Sequence, residues 1–452
     1  MKLFGWVRNK YRFMGIRVLR RRYFGGGVMY YLLYVLPIIF IPSRIQQIQK
    51  RIDNWDNLDT RKLDEQIRRA TRKIRVTPIT DTTDTLVILA SQMYDMGGHT
   101  ECIKNIVSAA GKYKTYLFLT RTAKSNRDAK HKMAEIEKYT TISGIQYNGG
   151  LWRHKLRDAF DEIISQRPSA VLSFIHMDDA FGAALLCLLQ RAGVRILFYN
   201  HGSHFPTLGM SFANLILEGT PTTARITNQQ RGFENTVVVG LPYLCTDACP
   251  VFSDDEIQQL RAKFGITPET PLTMSGASTY KFFDVTHNAS PYFEMIKQLL
   301  MRNPDLRHIM IVPKMCPNER EIFDKIFADS NVADRIQFIA PNPNYKVLFK
   351  CADVFIDSFP ISSALTQIDL ISLRVPNVIK INRENPIWTF HEYMPKNYPF
   401  AFDNADDMIV GIEKLIRDKN LRKSVADSNY AFFTDNYAGE RWFNKLLGLI
   451  NG

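Results

Sequence analysis

The sequence predicts an α/β protein with two Rossmann-like domains in tandem, preceded by a helical membrane-associating segment. A chain of 452 residues is longer than one ordinary hydrophobic core requires. Apolar runs typical of buried strands alternate with helix-like runs, and this alternation stops and restarts once. A long uncharged run follows a cluster of arginines near the N-terminus. We therefore predict a membrane-associating segment, a helical connector, two α/β domains and a C-terminal helix at residues 1–45, 46–80, 81–243, 244–436 and 437–452.

The composition indicates a folded, basic protein. The chain is 45% hydrophobic and 23% charged, which argues against wholesale disorder. Its formal net charge is +13, and much of the excess lies before residue 78. Because the basic residues there alternate with aromatic ones and form no nucleic-acid-binding motif, we expect an anionic membrane surface, and not nucleic acid, as a partner. The six scattered cysteines are typical of reduced thiols, and we predict no metal site.

The predicted membrane segment centres on residues 23–43, which carry no charge and directly follow three arginines at 20–22. Its length is near the roughly 20 residues that span a bilayer. Glycines at 25–27 and Pro37 weaken a straight helix, and the tyrosines in the segment favour the membrane interface. We expect a monotopic or re-entrant anchor. A true span and a hydrophobic hairpin packed on the protein body are the alternatives.

In the first domain, four apolar runs are predicted to be strands: TLVILAS, TYLFLT, AVLSFIH and RILFYNHG. Helices are predicted between them at 101–113, 151–168 and 178–193, and the domain closes near residues 235–243. The second domain repeats the alternation, from PLTMSGAS to the strand–turn–helix–strand segment DVFIDSFPISSALTQIDLISLRVPNVIKIN. Continuous apolar strands of this kind are typical of parallel sheets that are buried on both faces.

Ligands of such sheets bind at the carboxyl ends of the strands, so we expect the chemistry in the loops that follow them. Neither domain opens with GxGxxG, and the sequence contains no P-loop and no GxSxG motif. These absences disfavour a dinucleotide oxidoreductase, an NTPase and an α/β hydrolase.

Loops of the second domain are predicted to form a nucleotide-diphosphate site. Small residues after its first strand let the backbone approach a phosphate, and a nearby lysine can neutralise it. Hydroxyl side chains at a helix start offer an anion site, and an acid further along suits a pair of sugar hydroxyls. Helix capping and a solvated helix position are the plain alternatives for these last two features. The candidate residues are Ser275, Gly276, Lys281, Ser362, Ser363, Thr366 and Asp369.

These segments resemble the GT-B glycosyltransferases, most closely the group of O-GlcNAc transferase and the bacterial cytoplasmic N-glycosyltransferases. The segment from DVFIDSFP to VPNVI is similar to the group's strand, Thr-rich turn and Asp-bearing helix. SGASTYKFF is similar to its Gly-Ser…Lys segment, and YNHGSHFPTLGMSFANLILEG to its GHPATT…DY segment. The resemblance spans roughly residues 85–436. It departs where Ser363-Ala364-Leu365 replaces Thr-Thr-Gly and where Arg374 replaces Gly.

The resemblance implies an enzyme that moves a sugar from a nucleotide donor, expected to be UDP-linked, with Lys281 on the diphosphate and His391 near the donor sugar. It implies no cofactor and no essential metal, because helix N-termini and basic residues stabilise the leaving diphosphate. Retaining members often carry two acids in an E-x7-E pattern. Asp369 could be the second acid, but the first position is Ile361. We therefore expect an inverting enzyme with one general base.

The first domain is expected to supply that base. His99 follows the first strand in DMGGHT, and His201 and His204 follow a later strand in YNHGSHF. A lone histidine is often structural, but three in loops at one sheet edge indicate function. We predict His201, ahead of His99, as the base, with Asp95 or Asp178 orienting it.

Four functions remain open at this point. The first is a bacterial glycosyltransferase at the cytoplasmic face of the inner membrane, where cytosolic nucleotide sugars meet lipid-borne acceptors. It would build a surface glycan such as lipopolysaccharide, capsule or a lipid-linked saccharide. The others are a protein glycosyltransferase, a nucleotide-sugar 2-epimerase and an inactive scaffold of a polysaccharide assembly complex. No peptide-binding repeat domain is evident, and an epimerase needs no membrane segment.

Overall fold

The computed structural model describes residues 44–95, 98–111, 113–147, 151–243, 252–284, 286–341, 345–437 and 440–451. The predicted membrane-associating segment, 1–45, lies outside these ranges except for Arg44 and Ile45. Among the described residues, no helix combines the length and the apolar composition that crossing a membrane requires.

Two parallel sheets confirm the predicted two-domain α/β architecture. The first has seven strands in the order β3-β2-β1-β4-β5-β6-β7. The chain reverses its direction across the sheet between β1 and β4, and such a switch point leaves a crevice at the carboxyl ends of the strands. The strands are β1 (Thr83–Ala90), β2 (Lys114–Leu119), β3 (Thr141–Gly144), β4 (Pro168–Phe174), β5 (Ile196–Tyr199), β6 (Leu215–Glu218) and β7 (Thr236–Val238).

Helices cover both faces of this sheet. Alternate residues of β1 point to opposite layers: Val87 and Leu89 belong to one apolar cluster, and Leu86 and Ile88 to the other. The helices of this domain are α1 (Arg44–Ile52), α2 (Arg61–Thr71), α3 (Gly98–Ala109), α4 (Thr122–Asp128), α5 (Lys130–Ile136), α6 (Trp152–Ser165), α7 (Ala180–Arg191) and α8 (Pro221–Arg231).

The predicted connector, residues 46–80, is an integral layer of the first domain. Its two helices bury Ile48, Ile52, Leu63 and Ile67 in the same cluster as α7. Every residue of α7 from Ala180 to Leu189 is buried, because α1 and α2 cover the side that would otherwise face water. Helices α1 and α2 therefore pack on the first domain.

A buried carboxylate holds α2 in place. Asp64 accepts hydrogen bonds from Gly209 N at 2.8 Å, Ser211 N at 3.2 Å and Ser211 Oγ at 2.7 Å. Burial raises the pKa of Asp64 to about 6. We expect Asp64→Ala to lower the free energy of unfolding by about 1–3 kcal/mol, because two backbone N–H groups lose their acceptor. Urea denaturation measures the change. Asp53→Ala, on an exposed position of the same region, is the control, and equal stability of the two variants would contradict this role.

The second sheet has six parallel strands in the order β10-β9-β8-β11-β12-β13. They are β8 (Leu272–Gly276), β9 (Arg307–Ile311), β10 (Ile336–Ile339), β11 (Val354–Ile356), β12 (Asn377–Lys380) and β13 (Ala401–Phe402). Its helices are α9 (Asp254–Lys263), α10 (Pro291–Arg302), α11 (Pro317–Phe327), α12 (Tyr345–Lys350), α13 (Ala364–Ser372), α14 (Ala405–Arg417) and α15 (Lys419–Asn436).

The C-terminal helix, α16 (Glu440–Asn451), returns to the first domain. Trp442, Phe443 and Leu446 join the apolar cluster under α3. The indole N–H of Trp442 donates to Gly240 O at 3.2 Å. Because the chain crosses between the domains twice, the two sheets are tied together on one side of the cleft.

Candidate functional site

The loops at the carboxyl ends of both sheets meet in one interdomain cleft. Gly98, after β1, lies so close to the second domain that a Cβ atom there would be 2.1 Å from Leu365 Cδ1. The hydroxyl of Tyr393 donates to Gly219 O at 3.0 Å, and Thr222 N donates to the Glu392 carboxylate at 3.2 Å. The edges that the sequence predicted to carry the chemistry therefore face each other.

Lys281 lies on the second-domain wall of this cleft. It sits in a short 3-10 turn after β8, and its Nζ donates to Ser362 O at 2.9 Å. Burial lowers the pKa of the Lys281 ammonium, and the neighbouring Asp357 opposes this shift. The structure thus brings together two predicted donor-site residues that are far apart in the sequence.

A carboxylate that the sequence reasoning missed organises the turn between β11 and α13. Asp357 accepts from Ser362 Oγ at 2.5 Å, Ser363 N at 3.1 Å and Gln367 Nε2 at 2.7 Å. Burial raises the pKa of Asp357 to about 6. The only sequence signal was its position directly after a buried strand. Thr366 is partly exposed in the first turn of α13.

Two predicted phosphate contacts lie in a strand and not in a loop. Ser275 and Gly276 are the last residues of β8 and are buried. The Ser275 hydroxyl donates to Ile356 O at 2.6 Å and accepts from Tyr292 OH at 2.5 Å. A Cβ at Gly276 would be 3.3 Å from the ring of Phe349. In this structure both residues pack the core below the cleft.

Asp369 is already held by protein donors. Its carboxylate accepts from Tyr243 OH at 2.6 Å and Tyr345 OH at 2.8 Å, and Lys346 Nζ lies 3.1 Å away. Tyr243 belongs to the end of the first domain, so this cluster also links the domains. A sugar hydroxyl at Asp369 would have to displace one of the tyrosines, and the ribose role stays a prediction.

Three histidines cluster on the first-domain side, at the ends of β1, β4 and β5. The ring centroids of His99 and His201 are 4.6 Å apart, and His176, which the sequence reasoning missed, lies 5.4 Å from His99. The Nε2 of His99 is 2.8 Å from Phe174 O. Since a carbonyl only accepts, we assign the proton of His99 to Nε2. Its Nδ1 is therefore a free acceptor.

The surroundings keep this cluster uncharged. Burial lowers the pKa of His99 to about 4. Burial and then the neighbouring His99 and Arg121 lower the pKa of His176 to about 3. The pKa of His201 is also well below its ordinary value, chiefly through burial and then through His99 and His176. The three imidazoles are therefore uncharged at neutral pH.

The two predicted orienting acids have different surroundings. Asp95 accepts from His131 N at 2.9 Å and Lys132 N at 3.0 Å, so it caps α5 and contacts none of the three clustered histidines. Asp178 pairs with Arg121 at 3.1 Å, and Arg121 Nη1 lies 3.4 Å from His176 Nδ1. The carboxylate thus reaches the cluster through an arginine.

His204 and His391 complete the cleft. Burial, and then the charges of Lys281 and Arg231, lower the pKa of His204 to about 4. Buried polar atoms normally have hydrogen-bond partners, and unpaired ones mark candidate ligand sites. Five such atoms, on residues that follow strands of the two sheets, have no partner among the described residues: His99 Nδ1, His201 Nδ1, His204 Nε2, Gln367 Oε1 and His391 Nδ1.

We expect the ring of His99 to titrate near pH 4. The reference is His287, whose pKa the hydrogen-bonded Asp284 raises above its ordinary value. NMR of protein with ¹³C-labelled histidine measures both, with the signals assigned through His99→Asn and His287→Asn. A His99 signal that titrates at or above pH 6.5 would contradict the buried, neutral cluster.

The described residues contain no set of three histidine, cysteine or carboxylate side chains placed to hold a metal ion.

No family model and no curated protein matches the chain. Solved structures do match it in fold. A glycosyltransferase from Rickettsia africae is 12% identical, with 82% of this chain and 98% of that chain covered and a TM-score of 0.64.

Three further structures also match the chain in fold. Anabaena HepE in complex with UDP and glucose is 12% identical, with 81% of this chain and 99% of that chain covered and a TM-score of 0.63. A mutant O-GlcNAc transferase from Thermobaculum terrenum is 10% identical, with 90% and 77% covered and a TM-score of 0.58. A chain described as a UDP-N-acetylglucosamine 2-epimerase from Listeria monocytogenes matches with a TM-score of 0.50. At these identities the similarity shows the fold, and the chain has the two-domain GT-B fold of these glycosyltransferases.

Proposed function

We propose that this chain is a glycosyltransferase that moves a sugar from a nucleotide-sugar donor, bound by the second domain, to an acceptor bound against the histidines of the first. One observation carries the proposal. Residues that follow strands of both sheets carry unpaired, buried polar atoms, and these strand ends meet where Gly98 approaches Leu365. A ligand with hydrogen-bonding groups on two sides, such as a sugar between a nucleotide and an acceptor, would satisfy them.

The donor diphosphate is assigned to Lys281 and the N-terminal turn of α13. The ammonium already lies against Ser362 O, and the backbone N–H groups that open α13 are near it. His204, in the loop after β5 of the first domain, has a buried, unpaired Nε2 that would hydrogen-bond the donor from the other side. Solved HepE complexes contain UDP or UDP-glucose, which supports a UDP-linked donor here.

The acceptor base is assigned to His201, with His99 next to it. Each presents an unpaired Nδ1 in a buried setting where the neutral form dominates. A neutral imidazole takes the acceptor proton as the hydroxyl attacks the anomeric carbon and the nucleoside diphosphate leaves. One base on the acceptor side fits an inverting reaction.

The acceptor is assigned to the surface glycans of a bacterium: lipopolysaccharide, capsule or a lipid-linked saccharide. The sequence of residues 1–45 supports this, because it combines basic, aromatic and uncharged apolar stretches suited to an anionic membrane. Such a segment would hold the enzyme on the cytoplasmic face of the inner membrane, next to both substrates.

A ligand panel on the full chain in detergent tests the donor assignment. We expect UDP, UDP-glucose or UDP-N-acetylglucosamine to raise the melting temperature, whereas AMP and NAD do not. Saturation to 100-fold above Kd stabilises a protein by about 2.7 kcal/mol. No shift with any nucleotide sugar would support an inactive scaffold. Conversion of UDP-N-acetylglucosamine to its 2-epimer without an acceptor would support an epimerase.

A further inference from the structure

Helices α1 and α2 present a continuous basic surface to solvent. Their apolar residues, together with Asp64 and Thr71, are buried against the domain, and most of their other side chains are exposed. Arg51 Nη1 donates to Gln66 Oε1 at 2.6 Å, which places the outer sides of the two helices side by side. We call this surface the α1–α2 face, and its exposed basic residues are Arg44, Lys50, Arg51, Arg61, Lys62, Arg68, Arg69, Arg72, Lys73 and Arg75.

Most of this charge is not neutralised by the protein. Arg61 pairs with Asp59 at 2.7 Å, and Arg68 and Arg69 pair with Glu65 at 3.4 and 3.0 Å. The other seven basic residues of the face have no ion-pair partner among the described residues. Lys62, Arg69 and Lys73 recur at intervals of seven and four, so they lie along one side of α2 and the turn after it. The acids Asp53 and Asp56 lie in the loop between the helices, whereas Glu65 is on this side of α2, between Lys62 and Arg69.

The face is joined directly to the predicted anchor. Residues 23–43, the uncharged run, end where α1 begins at Arg44. A lipid-seeking segment attached at this point would bring the face to within a few residues of the bilayer surface. An uncompensated row of lysines and arginines beside an anionic leaflet is attracted to it.

The face also connects to the candidate site. Gln49 of α1 donates to Asp178 Oδ2 at 3.3 Å. The same carboxylate pairs with Arg121, which contacts His176 of the histidine cluster. Helix α1 therefore reaches the edge of the sheet at which the acceptor is expected.

We propose that the α1–α2 face is a second membrane contact, in the folded body, which docks on anionic lipid headgroups and presents the histidine side of the cleft to a lipid-borne acceptor. The acceptor part rests on the proposed function. The lipid contact does not, because it is measured without catalysis.

Vesicle binding by the full chain tests the docking. The variant Lys62→Gln/Arg72→Gln/Lys73→Gln is compared with Lys263→Gln/Lys419→Gln/Lys423→Gln, an equal loss of charge on exposed residues of the second domain. Each basic residue near an anionic surface contributes about fivefold to binding, so we expect the first variant to lose on the order of 100-fold affinity for phosphatidylglycerol vesicles. The control variant should stay within about threefold, because charges away from the membrane are screened.

Photocrosslinking measures contact between the α1–α2 face and lipid directly. Unlike vesicle affinity, it does not include binding through the N-terminal segment. A benzophenone amino acid at position 73 should form lipid adducts on these vesicles, and one at position 423 should not. Wild-type affinity in the α1–α2 variant, equal losses in both variants, or equal adducts at both positions would overturn the proposal. UDP binding, measured in the same preparations, reports on the proposed function independently.

Discussion

Replacing His201 and His99 together by asparagine should lower turnover by about 10²–10⁴-fold and leave donor affinity nearly unchanged. The reason is the placement of the two rings. They lie 4.6 Å apart on the side of the cleft away from Lys281, and each has an unpaired buried Nδ1. Losing the base removes proton transfer in the transition state, whereas the groups that hold the diphosphate remain.

The two single variants show how much of the lost turnover each histidine accounts for. We expect His201→Asn to lose more activity than His99→Asn, because the Nε2 of His99 is committed to Phe174 O. His154→Asn, on an exposed position of α6, is the control. Turnover close to that of the wild type in the double variant would end the histidine-base mechanism, and UDP affinity in all variants separates it from misfolding.

Lys281→Ala should weaken UDP binding by about 1.5–3 kcal/mol, which is roughly a 10- to 150-fold higher Kd. A charge-assisted contact to the diphosphate is lost, and no other described cation lies against Ser362 O to replace it. Calorimetry with UDP measures the change. Lys281→Arg keeps the charge and should retain part of the affinity.

Lys325→Ala, on an exposed turn of α11, is the matched control for this measurement. A UDP affinity that is the same in Lys281→Ala and Lys325→Ala would remove the lysine from the donor site. The alternative is that Lys281 only stabilises the turn at Ser362 and does not contact the diphosphate. In that case the melting temperature of Lys281→Ala should fall together with its affinity for UDP, and Lys281→Met should show both changes.

Long apolar strands made the two-sheet architecture predictable. Strands β1, β4 and β8 are buried almost throughout, and their composition alone marks them. Strands β3 and β13 were missed because they are short and none of their residues is fully buried. Strand β6 was missed although three of its four residues are buried. The docking of α1 and α2 was missed as well, although α7 has almost no polar side and therefore had to be covered.

The location of the candidate site could be predicted from the sequence, but the hydrogen-bond partners of its residues could not. Parallel strands bring their carboxyl ends to one edge, so the loops that carry His99, His201 and Lys281 could be chosen from the sequence. Hydrogen bonds between residues that are far apart in the sequence could not be predicted in this way. The pairing of Asp357 with Gln367 and that of Asp369 with Tyr243 depend on how the chain closes in three dimensions.

The most direct test of the central claim is transfer of a radiolabelled sugar from its UDP-linked donor into membranes of the host cell. The full chain, the double histidine variant and Lys281→Ala are compared at donor concentrations below and above the wild-type Kd. We expect label in the lipid or glycan fraction with the wild type. The histidine variant should stay inactive at every donor concentration, whereas Lys281→Ala should recover as donor is raised. The central claim is that the second domain binds the donor and the first domain activates the acceptor. No transfer by the wild type from any UDP-sugar, or full activity in the histidine variant, would contradict it.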